Sequence, residues 1–509
     1  MPNTVSTFNI AKALSQFDIE IEYTCSNQIT NDSRQVTHGD VFCAVIGSES
    51  DGRQFIDQAI AAGAVLVIAQ CHHQQQHGNV ISRSVESISG EVLTAQIVQF
   101  YELNEKLFEL AAHYYHQPVN ELSLIGVTGT NGKTSTTQII ASLLEHCGKK
   151  SAVIGTTGAG SLNSLAPIAN TTPGPTELNH LMAGFVEQKI QHVAMEVSSH
   201  ALDQGRILPS QLDVAVFTNL SRDHLDYHQT MEEYAAAKFS IFSGSAGQTA
   251  IINGDDVYGQ QWLTLINQPS YVYGRSGQVK TYEQFVYGSN ISLSEHGITF
   301  TIETSTDQVE VTTQLLGMFN IDNLLAAIAT MLALGFSLKD ISPAIEKVEP
   351  SQGRMEAYST IGMATAVVDY AHTPDALENA LMACREHCQG ELWVVFGCGG
   401  DRDKGKRAQM GAIAEKYAEH VVITNDNPRS EAPELIANDI LSGCSHTEKI
   451  TVMLDRKQAV RSAIAHAKAE DLVLLAGKGH ENNIEIAGQI IEYSERAVVK
   501  SLYQAGERP

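Results

Sequence analysis

The residues with the most chemical potential lie in one short run, Gly126-Val-Thr-Gly-Thr-Asn-Gly-Lys-Thr134, which continues into Ser135. An apolar segment, Ser123–Thr128, precedes the glycine-rich turn, and the helix-like stretch TTQIIASLLEHC follows it, with Gly148 placed to cap the end. Strand, turn and helix in that order make a phosphate cradle. Glycines let the backbone bend sharply and aim N–H groups at an anion, while the helix N-terminus adds positive potential. Gly129, Thr130, Asn131 and Gly132 form the turn. Lys133 can reach terminal phosphates, and the Thr134 hydroxyl can ligate Mg²⁺. The spacing is a variant, because Val127 stands where the common pattern has its first glycine. The pattern implies ATP or a similar nucleotide, and leaves the reaction open: motors, kinases and ligases all use such loops.

Two further groups suit a metal. Glu196 ends the apolar run HVAME and could hold Mg²⁺ opposite Thr134. His224, in SRDHLDYH, could ligate or orient a ligand, although Mg²⁺ prefers oxygen donors. Taken alone, each is as readily an ordinary packed or surface residue. Lys238, in YAAAKFSIF, reads from pattern alone as a helix lysine with its amine in water.

The elements that must position these groups repeat along the chain. A short apolar run leads into a polar or glycine-rich loop at His192–Met195, Leu212–Phe217, Leu392–Phe396, Val421–Thr424 and Leu472–Leu475, as it does at Ser123–Thr128. Such runs suit parallel strands buried on both faces, and ligands of parallel sheets bind beyond the strands' carboxyl ends. At 509 residues the chain needs about three cores. Boundaries near Pro118–Leu122 and Pro350–Arg354 divide it into three α/β domains, 1–120, 121–350 and 351–509. The central one carries the phosphate loop on a parallel sheet, and the last is Rossmann-like.

A formal net charge of -25 argues against a nucleic-acid partner. The N-terminus lacks a basic region followed by an apolar core, and no segment is apolar for long enough to span a membrane. The eight cysteines show no paired metal-ligand spacing, so buried free thiols and a cytoplasmic setting are expected. The His/Gln-rich piece Cys71–His77 reads as a surface loop that leaves a chance metal site open. No coiled-coil pattern is evident, and a monomer is expected.

In order, GTNGKTS, EVSSHAL, TNLSRDHLDYH, YAAAK, FNIDNLLAA, GRME, DYAHTPDAL, GCGGDRDKGKR, DNPR and GKGHE resemble the Mur ligases of bacterial peptidoglycan synthesis. The likeness is nearest to the branch that adds the third residue to UDP-N-acetylmuramoyl-L-Ala-D-Glu. NDSRQVTHGDVFCAVIGSESDGRQFIDQAIAAGA resembles the family's uridine-binding region. The resemblance implies that ATP phosphorylates the D-Glu carboxylate and that an amine then displaces phosphate. It implies that Lys238 is carbamylated, which makes a carboxylate able to ligate a second Mg²⁺ besides the one expected at Thr134, Glu196 and His224. By the same resemblance Asn323 contacts adenine, Arg354 the phosphates and Asp369 the ribose. Asn170, Thr171, Thr172, Ser198, Gln204 and Arg206 would hold the muramoyl-dipeptide, with Ser33 and Ser48 at the uridine end.

The motif Asp426-Asn427-Pro428-Arg429 resembles family members that add meso-diaminopimelate. Diaminopimelate differs from lysine by a distal carboxylate, which a guanidinium grips bidentately. Arg429 suits that contact, with Arg402 as a further one and Gly477 beside it; Asp426 and Glu481 can accept from ammonium groups. A surface ion pair is the plain alternative for Arg429. Rival readings are another Mur ligase, a folylpolyglutamate synthetase, a P-loop ATPase coupled to motion, and a nucleotide sensor. Only the first two need an acceptor amine, so dependence of ATP turnover on a muramoyl-dipeptide separates the classes.

Overall fold

The computed structural model describes residues 8–22, 26–47, 50–87, 90–294 and 297–505. The chain divides into two compact units: Met1–Lys133, Gly148–Ile252 and Asp256–Ser270 form one, and Thr134–Cys147, Asn253–Asp255 and Tyr271–Pro509 the other.

The first unit begins with a five-stranded sheet in the order Ile29–Thr30, Val41–Ala44, Leu66–Cys71, Val92–Tyr101, Val80–Glu86. The first four strands are parallel and the last pairs antiparallel at the edge. Parallel strands bury both faces, and Val41, Cys43, Leu66 and Ile68 pack one side while Phe42, Ala44 and Val67 pack the other.

The unit's larger sheet carries the phosphate loop. The Ser123–Thr128 strand lies between His192–Glu196 and Val214–Phe217, parallel to both. Ser151–Gly155 and Thr249–Asn253 extend the sheet on either side, again parallel. The apolar runs read from sequence are therefore buried parallel strands. Their register pairs Glu196 with Val127 and Phe217 with Thr128, so all three strands end at one edge. Backbone bonds from Val197 N to Val127 O (2.8 Å) and from Thr218 N to Thr128 O (3.0 Å) carry the pairing past the strand ends. The helix Lys133–His146 starts directly at the loop, and Gly148 follows it at φ +79°, as expected of a C-terminal stop.

In the second unit, Ser270–Gly274 pairs parallel with Phe285–Ser294, which continues antiparallel through Gly297–Thr304 to Gln308–Thr313. The search for apolar runs did not anticipate these strands. Their solvent side alternates polar residues, as in QVEVTT, so no continuous apolar run marks them. The helix Met318–Ala333 carries the FNIDNLLAA motif. A six-stranded sheet completes the unit, in the order Glu356–Tyr358, Thr365–Asp369, Leu472–Ala476, Leu392–Phe396, His420–Ile423, Ile450–Val452. Only the Glu356–Tyr358 edge is antiparallel. The loops after Asp369, Phe396, Ile423 and Ala476 thus leave one end of this sheet. The described cysteines are free, with Cys43, Cys71, Cys384 and Cys398 buried.

Candidate active site

The turn after Ser123–Thr128 is held by its neighbours. Gly129 adopts φ +150°, and a β-carbon there would sit 1.9 Å from Thr218 Oγ1, so only glycine fits. Thr130 N donates to Asn219 O at 2.8 Å, and Asn131 N to Asn219 Oδ1 at 3.0 Å. Thr218 Oγ1 donates to Asn131 O at 2.6 Å. The strand Val214–Phe217 therefore clamps the loop through the two residues that follow it.

Two amines converge on the loop from different elements. Lys133 Nζ donates to Gly129 O at 2.8 Å and to Thr130 O at 2.9 Å. Lys238 Nζ also donates to Gly129 O, at 2.8 Å, and lies 4.7 Å over the Tyr234 ring. Lys238 is 1% exposed, which corrects the reading of its amine as solvated. The helix Met231–Phe239, capped by the Thr230 side chain, turns this residue inward together with Tyr234 and Ala235. Burial, and then the Lys133 charge, push the Lys238 amine well below its ordinary pKa, against a smaller opposing pull from Asp223.

Glu196 is 1% exposed at its strand end. Thr156 N donates to its Oε1 at 2.8 Å and Thr156 Oγ1 to its Oε2 at 3.3 Å. Its carboxylate is packed so tightly that a β-carbon on Gly155 would lie 2.2 Å from Oε1. His224 sits at φ +52° with its ring 5.0 Å from His200 and 6.0 Å from Tyr234, and its side chain is 46% exposed. Among the described residues no group of three or more His, Cys, Asp or Glu is arranged for a metal ion. The Cys71–His77 piece holds none either: His77 bridges Phe17 O and Tyr101 N, and His72 faces Arg53.

A cavity of about 1070 Å³ in the same unit gathers Ser33, Asn170, Gln204 and Arg206. The Arg206 guanidinium is fixed by Gln204 Oε1, which accepts from Nε (2.9 Å) and Nη2 (2.6 Å), and by Thr172 O at 3.1 Å. Burial lowers the pKa of Arg206. Thr172 Oγ1 in turn donates to Glu196 O at 2.8 Å and accepts from Ser198 N at 3.1 Å. Thr171 Oγ1 pairs with Thr156 Oγ1 at 3.3 Å, and Ser198 caps the short helix Ser199–Asp203. Thr171, Thr172, Ser198, Gln204 and Arg206 are thus linked by hydrogen bonds that reach Glu196, while Asn170 lines the cavity beside them. Ser48 lies outside the described residues.

In the second unit, Thr134 and Ser135 open the loop helix, and Asn323 accepts from Thr136 Oγ1 of that helix at 3.3 Å. Arg354 lies 4.8 Å over the Tyr370 ring, and its Nε is buried without a hydrogen-bond partner. Asp369 accepts from Met355 N and Ala371 N, each at 2.8 Å, so its oxygens fix the strand end to the GRME segment. Burial raises its pKa, with Arg354 opposing.

Asp426, Asn427, Gly477 and Glu481 meet where the loops after Ile423 and Ala476 approach. Gly477 permits this contact, since a β-carbon there would lie 2.6 Å from Asp426 Oδ2. Arg429, at φ +52° after Pro428, directs Nη1 to Gly400 O at 2.8 Å and Nε to Glu485 at 3.4 Å. It is an ion pair, but a part-buried one with its side chain 24% exposed. Arg402 donates to Asp401 O at 3.3 Å. The reading from sequence passed over Lys478, which is fully buried in the middle of this group; the GKGHE motif contains it, but no local pattern distinguishes it.

Comparison with known proteins agrees with this architecture. The Mur ligase middle domain matches residues 127–331, the Mur ligase glutamate ligase domain 353–479, and the Mur ligase family catalytic domain 26–115. The UDP-N-acetylmuramoyl-L-alanyl-D-glutamate–2,6-diaminopimelate ligase of Vibrio cholerae is 45% identical over 97% of each chain. Its namesake from Vibrio vulnificus is 47% identical over 92% of this chain and 93% of its own. A solved structure of an enzyme with the same name covers 98% of this chain and 99% of its own, at 31% identity and a TM-score of 0.69. On matches that run along nearly the whole chain, the protein belongs to the Mur ligase family.

Proposed function

We propose that the chain is an ATP-dependent amide ligase that joins meso-2,6-diaminopimelate to the D-Glu carboxylate of UDP-N-acetylmuramoyl-L-Ala-D-Glu. This is the activity in the names of its Vibrio relatives. The observation that carries the reading is the convergence of Lys133 and Lys238 on Gly129 O at 2.8 Å, at the carboxyl end of a parallel sheet. Such a loop suits a terminal phosphoryl group, and a second buried amine beside it has no purpose in plain nucleotide storage.

The chemistry runs in two displacements. A D-Glu carboxylate oxygen attacks the γ-phosphorus of ATP, forming an acyl-phosphate and releasing ADP. The amino group of diaminopimelate then attacks the acyl carbon, phosphate leaves, and the nitrogen loses a proton. Lys133 and the loop N–H groups stabilise charge on the transferring phosphoryl group. Mg²⁺, when bound, neutralises phosphate oxygens; the Thr134 hydroxyl, the Glu196 carboxylate and His224 would hold it. The first two are oxygen donors that suit this ion, and their small number fits its habit of retaining water and phosphate ligands. As a carbamate Lys238 would ligate a second Mg²⁺: its neutral amine attacks CO₂, a C–N bond forms and a proton departs. Its depressed pKa favours the neutral amine this step needs.

Residues 1–120 bind the uridine end, 121–350 bind ATP through the loop and Asn323, and 351–509 bind the amino acid and supply Arg354 to the phosphates and Asp369 to the ribose. The cavity lined by Ser33, Asn170, Gln204 and Arg206 takes the anionic nucleotide precursor. Asp426 and Glu481 accept from an ammonium group, while Arg429 and Arg402 face carboxylates. No helix of the described residues is long and apolar enough to cross a membrane. The enzyme works in the cytoplasm as a monomer, without nucleic acid. Labelling the D-Glu carboxylate with ¹⁸O tests the route: one label atom must appear in the released phosphate. Phosphate free of label would exclude the acyl-phosphate.

A further inference from the structure

Lys478 is a buried cation that the proposed reaction leaves without a task. Its side chain has no exposure, and its ammonium donates to Asn427 Oδ1 at 2.7 Å, Glu481 Oε2 at 2.8 Å and Asn483 O at 2.8 Å. Those three bonds use all its protons. The carboxylate of Asp426, 7% exposed, stands 3.5 Å away. Asn427 is drawn in completely: its Oδ1 also accepts from Glu485 N at 3.0 Å and its Nδ2 donates to Glu481 Oε2 at 3.1 Å.

Two neighbouring arginines have carboxylate partners of their own. Arg456 pairs with Glu495 at 2.7 Å, both fully buried. Arg429 pairs with Glu485 at 3.4 Å. Asp426 and Glu481 are both ion-paired to Lys478, so this trio carries one net negative charge. Only Glu481 among the three has appreciable exposure, with its side chain 28% open. A buried site with one surplus carboxylate charge takes one ammonium group without leaving charge uncompensated.

We propose that Lys478 is a specificity-determining positioning residue. It holds Asp426, Asn427 and Glu481 in place and limits their surplus charge to one, which sets the preference for diaminopimelate over lysine. The inference rests on the reading of Asp426–Arg429 as the amino-acid pocket. Diaminopimelate carries two ammonium and two carboxylate groups and is neutral overall, whereas lysine lacks the distal carboxylate and is a cation. Raising the surplus to two negative charges therefore favours lysine and repels the distal carboxylate of diaminopimelate.

The test is a competition assay on the full-length enzyme with ATP, the muramoyl-dipeptide nucleotide and either amino acid. In Lys478→Gln the ratio of kcat/KM for diaminopimelate to that for lysine is expected to fall by at least about tenfold, with the KM for ATP unchanged. Lys478→Gln combined with Glu481→Gln restores a single surplus charge, and the ratio is expected to return most of the way. Loss of a buried cation can unfold a domain. Asn427→Asp therefore adds the second charge with Lys478 kept, and must shift the ratio the same way. A ratio unchanged in Asn427→Asp, or a double variant no closer to wild type than Lys478→Gln, would overturn the charge-setting role. Wild-type enzyme inactive with both amino acids would instead overturn the ligase reading itself.

Discussion

Lys238 concentrates the chemistry at the scale of single residues. Its amine is buried, repelled by Lys133 and bonded to a carbonyl rather than to a carboxylate, so folding depresses its pKa. Below that folded value both states hold the proton and the cost of burying a cation is fully felt. As pH rises from there toward the ordinary 10.5, the folded state releases its proton first and stability is gained. In CO₂-free buffer, urea unfolding of Lys238→Met and wild type should thus differ most at the acid end and converge toward that upper value. A pH-independent difference would contradict the buried neutral amine. Lys238→Ala is expected to lose at least about a hundredfold in kcat, with partial rescue by a short carboxylic acid standing in for the carbamate. No rescue would leave the amine without that role. Arg429→Ala, which removes a part-buried guanidinium, should raise the KM for diaminopimelate by about tenfold or more while ATP binding survives. Unchanged affinity for diaminopimelate would remove Arg429 from the pocket.

Elements place these residues, and much of that placement was legible beforehand. The apolar runs SLIGVT, HVAME and VAVF bury both faces, so their parallel pairing and shared edge follow from hydrophobicity alone. What could not be read was burial set by helix orientation. Lys238 looks like any helix lysine until Met231–Phe239 turns it inward, and Lys478 acquires partners from Asp426, Asn427 and Asn483 only through long-range packing. The antiparallel strands across 285–313 escaped notice because alternation on a half-exposed sheet leaves no continuous apolar run. A test at this scale is Gly155→Ala. Its added carbon would displace the Glu196 carboxylate, and we expect kcat to fall about tenfold or more with a higher Mg²⁺ requirement. Wild-type kinetics in that variant would separate Glu196 from the metal.

The described residues form four sheets, and the five-, eleven- and six-stranded ones contain parallel strands with loops at their carboxyl ends. The net charge of -25 makes the local cations notable: Lys133, Arg206, Arg354 and Arg429 stand where phosphates and carboxylates are expected, against the charge of the rest. The proposed monomer should sediment as a single species near 55.2 kDa, and a heavier species would refute that state. The proposed reaction is ligation by way of ATP with diaminopimelate as the amine. Its most direct test is incubation with ATP, Mg²⁺ and UDP-N-acetylmuramoyl-L-Ala-D-Glu plus either meso-diaminopimelate or L-lysine, following phosphate and product mass. Phosphate and a tripeptide product are expected with diaminopimelate and little with lysine; product with lysine alone, or ATP hydrolysis with no amide formed, would refute the proposed ligation.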